Sequence, residues 1–225
     1  MDGPGRLCLW GFKLGKTRQT FEINSEGTDC FLFPEQSSRR QKKPPLICGH
    51  YTGRRNRRYE AMSIQIRACT NEDAPVLAEM IRSSFQDVAQ RFGLTLHNAP
   101  RHPSNCTVDW IQKDVARGVV YFILEKDSRA AGCVALEPSN DEVCYLERLA
   151  VLPDQRRQGF GKALVYHVLS EAKRLGVRGV SLGMIADHDE LKSWYRGLGF
   201  VEGETKAFAH LPFRVTFMAC EVKKS

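Results

Sequence analysis

Residues 149–164 read Leu149-Ala150-Val151-Leu152-Pro153-Asp154-Gln155-Arg156-Arg157-Gln158-Gly159-Phe160-Gly161-Lys162-Ala163-Leu164. An apolar run gives way to a short basic turn. Two glycines then open a segment whose Leu164, Val165, Val168, Leu169 and Ala172 fall on one helical face, with Gly176 to end it. The pattern predicts strand, turn and helix. The first amides of a helix have no intrahelical acceptor and sit at the positive end of its dipole, so such a junction is a site for phosphate. Glycines permit close approach and positive φ. Two phosphate motifs fail: a Walker loop needs Gly at 156 and Ser or Thr at 163, and a dinucleotide fingerprint needs Gly at 164.

The surrounding pattern predicts the rest of an α+β fold. Upstream, Val119–Glu125, Gly132–Glu137 and Val143–Val151 read as strands with connections short enough for an antiparallel meander. Before them, Ile64–Arg67 alternates as a strand, and Asn71-Glu72-Asp73 caps a helix with Val76, Leu77, Met80 and Ile81 on one face. Residues 91–105 read as a loop, and Asn105 or Thr107 caps a second helix ending near Gly118. Downstream come a buried strand at Gly179–Met184, a helix capped by Asp189 and stopped by Gly197 and Gly199, and a hairpin of Phe200–Glu202 with Phe213–Val222. The order β-α-α-β-β-β-α-β-α-β-β implies a mixed sheet.

Arg156-x-x-Gly159-x-Gly161 resembles the acyl-CoA pyrophosphate loop of the GNAT superfamily of N-acetyltransferases. Asp187–Phe200 is similar to that superfamily's second cofactor motif, N-x-x-A-x-x-x-Y-x-x-x-G-F. Tyr195, Gly199 and Phe200 match, while His188 and Leu191 replace the usual Asn and Ala. The resemblance covers essentially all of 62–225. It implies a GNAT-like acyl-CoA N-acyltransferase fold, a mixed and mostly antiparallel sheet of six to seven strands flanked by about four helices. It also implies acetyl-CoA as co-substrate, no metal, and direct attack of an amine on the thioester. The acceptor would be a small-molecule amine, a peptide N-terminus or a lysine, and a homodimer is common in the family. An acyl-CoA-binding regulatory module without turnover is the alternative.

By position in the family, the main chain of Leu149, Ala150 and Val151 would pair with the pantetheine arm. Arg156, Arg157, Gln158, Gly159, Phe160, Gly161 and Lys162 would cradle the pyrophosphate. Tyr195 would protonate the departing thiolate, which suits a phenol of pKa ~10 facing a thiol of pKa ~8.5. For the base, period-2 alternation places Tyr145, Glu147, Leu149 and Val151 on one face, which nominates Glu147, with Glu137 in reserve. The acceptor pocket would draw on Asn98 and His102 from the loop at 92–104, and on Phe208 and His210 from 205–213. A Cys106–His102 pair forming an acyl-enzyme is the competing chemistry.

Composition sets the outer bounds. The 225 residues are 42% hydrophobic, enough for a core, and no apolar run approaches the ~20 residues of a membrane span. Eight cysteines without a CxxC pair read as reduced thiols in a cytoplasmic protein. The net charge of +7 is concentrated in residues 1–61, where twelve Lys and Arg face six Asp and Glu. Residues 62–225 balance twenty-one against twenty, so nothing there calls for nucleic acid or an anionic membrane. Residues 1–61 lack an apolar period and read as a basic, disordered leader. The sharper reading makes them untranslated: Arg57-Arg58 can be encoded AGGAGG, a ribosome-binding sequence, just before a start at Met62.

Overall fold

The computed structural model describes residues 63–139 and 142–222, together with the backbone of Leu7–Cys8 and Phe12–Lys13, which pair antiparallel. The expectations for the leader otherwise lie outside the described residues. Seven strands form one sheet: β1 (Ile64–Ala68), β2 (Val120–Lys126), β3 (Arg129–Pro138), β4 (Val143–Val151), β5 (Gly179–Ile185), β6 (Val201–Ala207) and β7 (Arg214–Glu221). Their order is β1-β2-β3-β4-β5-β7-β6, antiparallel except for β4 beside β5. Helices α1 (Ala74–Ser84), α2 (Gln86–Arg91) and α3 (Val108–Ala116) precede the meander; α4 (Phe160–Arg174) and α5 (Asp189–Arg196) follow it. No helix among the described residues is long and apolar enough to cross a membrane.

Each face of the sheet carries its own apolar cluster. Leu164, Val165, Val168 and Ala172 of α4 pack on Phe122, Val134, Leu146 and Leu182. On the other face, Leu77, Ala78 and Ile81 of α1 and Ile111 of α3 pack on Tyr121, Ile123, Cys133 and Ala135. The buried stripe of α1 is Ala74, Leu77, Ala78 and Ile81, spaced i, i+3, i+4, i+7; Val76, expected inside, is 47% exposed. Thr107 caps α3, its side chain accepting from the Trp110 amide at 3.3 Å. The cap of α5 is His188 rather than Asp189: its Nδ1 accepts from the Leu191 amide at 3.4 Å.

Two irregularities of β4 shape everything that follows. First, β4 pairs with β5 only through Val143↔Gly179, Cys144↔Val180 and Tyr145↔Ser181. Beyond Tyr145 the two strands part. Second, the β3–β4 register runs Ala135↔Glu147 and then Cys133↔Ala150, so Val134 faces two residues, Arg148 and Leu149. This is a β-bulge, with Arg148 at φ 49°. Leu146 and Leu149, three apart, therefore both pack on the α4 side.

The bulge corrects the alternation read from the sequence. Tyr145 and Glu147 do not share a face with Leu149 and Val151, because the extra residue inverts the side-chain parity after Glu147.

Candidate active site

The parting of β4 and β5 opens a cleft of about 620 Å³. One wall is Leu146 and Arg148–Val151 from β4, and the facing wall is Leu182–Ile185 from β5. The start of α4, α2, and His188, Leu191, Trp194 and Tyr195 complete the lining. Of the residues expected to hold the donor, Leu149, Ala150, Val151, Arg156, Arg157, Gly159, Phe160, Gly161 and Lys162 line this cleft. Gln158 does not; its side chain accepts from Lys126 Nζ at 2.8 Å.

The turn into α4 is built to present amides. Arg157 and Gly159 have φ of 64° and 84°, and none of the amides from Arg156 to Lys162 donates to a protein acceptor among the described residues. A Cβ at Gly159 would meet open space, so the glycine answers to backbone geometry and not to crowding. At Gly161 a Cβ would lie 3.4 Å from the Trp194 ring, so helix and cleft wall are in contact there. The Arg156 side chain staples the loop. It donates to the Val151 carbonyl at 3.2 Å and the Ser84 carbonyl at 2.7 Å, and pairs with Asp87, whose pKa it holds down.

Tyr195 lies edge-on between Trp194 and Phe200, with ring centroids 4.9 and 5.4 Å away. Burial pushes its phenol above the ordinary pKa of 10, so it stays protonated wherever a thiolate forms. Its hydroxyl makes no protein hydrogen bond among the described residues, which leaves it free for a ligand in the cleft.

Glu147 is absent from the lining and 1% exposed. The bulge turns it to the α1–α3 face, in a cross-sheet row with Ala135 and Tyr121. That face holds a polar network. The Tyr121 hydroxyl donates to Asp114 Oδ2 at 2.7 Å, Arg117 pairs with Asp114 and, at 3.0 Å, with Glu137, and Arg148 bonds to Asp114 and Tyr121. Arg148 does line the cleft.

The expected acceptor residues serve the loops that carry them. Asn98 accepts from the Thr95 amide at 2.7 Å and donates to the Gly93 carbonyl at 2.9 Å. His102 is 0% exposed, bonded through Nδ1 to Ser104 Oγ at 2.8 Å, and burial holds its pKa down to about 4. Phe208 packs near Val215, with His210 beside it at 6.1 Å between ring centroids. None of the four lines the cleft. Cys106 is also outside it, and burial raises its thiol pKa, which removes the thiolate that an acyl-enzyme would need. No group of three or more metal-ligating side chains occurs among the described residues.

Sequence reasoning missed Arg148, Trp194 and His188 as cleft residues. The last stood in plain view at the family's Asn position; Arg148 had no signal, because a non-glycine residue at positive φ leaves none.

Known proteins resemble this chain in sequence and in fold. The chain is 25% identical over 138 residues to the N-acetyltransferase YjgM of Escherichia coli K12, covering 60% of this chain and 80% of that one. It is 33% identical over 97 residues to the ribosomal protein bS18-alanine N-acetyltransferase of the same organism, covering 41% of this chain and 65% of the relative's length. A solved structure of the PaiA N-acetyltransferase from Thermoplasma acidophilum, in complex with coenzyme A, superposes with a TM-score of 0.60 at 20% identity, over 71% of this chain and 99% of that one. The acetyltransferase (GNAT) family profile matches residues 80–200, more than half of the sequence, and the chain belongs to that family of acyltransferases.

Proposed function

We propose that the chain transfers the acetyl group of acetyl-CoA to an amine by direct attack on the thioester, in the cleft between β4 and β5. The observation that carries the reading is the parting of these strands after Tyr145, with unbonded amides at one end of the gap and the Tyr195 hydroxyl in its wall. When bound, acetyl-CoA supplies an activated acetyl group. The β4 main chain from Leu146 to Val151 no longer pairs with β5 and can pair instead with an extended amide-bearing arm. The amides of Arg157–Lys162, with the side chains of Arg157 and Lys162, would hold a pyrophosphate.

Tyr195 donates its proton to the departing sulfur. Glu147 is assigned no contact with the amine; the amine proton passes to water at the open end of the cleft. Acceptors of two kinds fall within the reading: a small-molecule amine, or a peptide N-terminus or lysine, and one relative is named for acetylating an alanine of ribosomal protein bS18.

The donor half is tested by titrating acetyl-CoA into Gly159→Val. A β-branched side chain at φ 84° strains the turn and so displaces the amides it presents. Affinity is expected to fall tenfold or more, with the chain still folded and its stability lowered only by the strain of the turn, about 1–3 kcal/mol; unchanged affinity would contradict the cradle.

A further inference from the structure

Arg148 is held in the cleft wall with half of its guanidinium unused. The residue sits at the bulge in a backbone region that side-chain-bearing residues rarely adopt. Its side chain is 11% exposed. One Nη group is engaged by Asp114 and the Tyr121 hydroxyl; Nε and the other Nη donate to no protein acceptor among the described residues. Asp114 also takes the Tyr121 hydroxyl proton and an Arg117 donor, so the carboxylate behind Arg148 is saturated. An arginine in the lining of a cleft, fixed through one Nη and with Nε and the other Nη left over, is completed by an anion.

The geometry points to Arg148 as the anchor for a carboxylate on the acceptor, so that the amines this chain acetylates are amino acids. The inference rests on the transferase reading above and names the acceptor class. The donor's phosphates have other partners. Arg157 and Lys162 stand at the α4 end, while Arg91 and Arg156, also in the lining, are already paired with Glu190 and Asp87. Arg148 instead lies where β4 leaves β5, beside Leu149. A carboxylate fits better than a phosphate. Two oxygens match two donors of a planar fork, and a dianion would face Asp114 immediately behind.

The test uses the full chain with saturating acetyl-CoA and follows coenzyme A release with a panel of amino acids, the matching amino-acid carboxamides, and phosphoethanolamine. Charged hydrogen bonds of this kind predict a preference for the acid over its carboxamide of roughly 10- to 100-fold in kcat/KM, carried by KM. In Arg148→Lys, which keeps charge and loses the fork, the ratio is expected to fall toward one with the acetyl-CoA affinity retained. Equal rates for acid and carboxamide in the unmodified chain would overturn the proposal, as would preference for phosphoethanolamine or an undiminished ratio in Arg148→Lys. Calorimetry on the coenzyme A-loaded chain separates the two readings. Amino-acid binding that Arg148→Lys abolishes, without turnover, supports the carboxylate site and refutes the transferase; absence of amino-acid binding refutes the site.

Discussion

Replacing Tyr195 with phenylalanine separates packing from chemistry. The ring contacts with Trp194 and Phe200 survive, and only the proton donor is lost. Acetyl-CoA affinity should stay within about twofold while turnover falls by roughly 10²–10⁴. Normal turnover would leave the tyrosine a packing residue. His102 makes the opposite kind of prediction, about stability alone. Its folded pKa of about 4 lies below the 6.5 of an ordinary histidine, so the unfolded chain binds the extra proton between those values. Stability is therefore unaffected above pH 6.5 and is lost as pH falls toward 4, by roughly 2 kcal/mol at pH 5. Urea unfolding at pH 7 and pH 5 should show a smaller loss in His102→Asn, which keeps a capping acceptor; an identical loss would contradict the assignment. That Tyr195, Gly159 and Gly161 line one cleft was legible because a motif spacing brought them to notice. Glu147 and Arg148 were not. They are neighbours in sequence, and the bulge leaves the carboxylate buried on the α1–α3 face while the arginine joins that face's Asp114–Tyr121 network from the cleft wall.

At the scale of elements, β4 holds the site together because β3 fits tightly against its end. A Cβ on Gly132 would lie 2.8 Å from the Ala150 carbonyl oxygen and 3.2 Å from Leu164 Cδ1, and the backbone oxygen cannot give way cheaply. Gly132→Ala should cost roughly 1–3 kcal/mol in denaturant unfolding and also weaken acetyl-CoA binding, since the displaced segment leads directly into the phosphate turn. A loss of stability with unchanged affinity would show that the end of β4 does not position the turn. The strands and α4 were readable from their periods. The break between α1 and α2 at Phe85 was not, because no glycine or proline marks it and the residue simply departs from helical dihedrals at ψ 3°. The cap of α5 was misread by one residue: an imidazole accepts the amide where a carboxylate was expected.

For the whole molecule, the chain order of elements, the antiparallel meander and the closing hairpin followed from short connections and apolar periods, while the place of β7 beside β5 and the parting of β4 from β5 are encoded by no local pattern. The acceptor loops were chosen by residue type, and Asn98 and His102 proved to be spent on the loop's own hydrogen bonds. On the proposed reading, a thioester and an amine meet beside the Tyr195 phenol while Cys106 lies buried outside the cleft, so the transfer forms no acyl-enzyme. The full chain should therefore be mixed with acetyl-CoA and a panel of amino acids, polyamines, aminoglycosides and peptides, and coenzyme A, acetylated amine and protein mass measured together. One acetylated amine should form for each coenzyme A released, with the protein's mass unchanged. Acetyl-CoA that binds without amine-dependent release, or a chain that gains an acetyl group on cysteine, would contradict direct transfer.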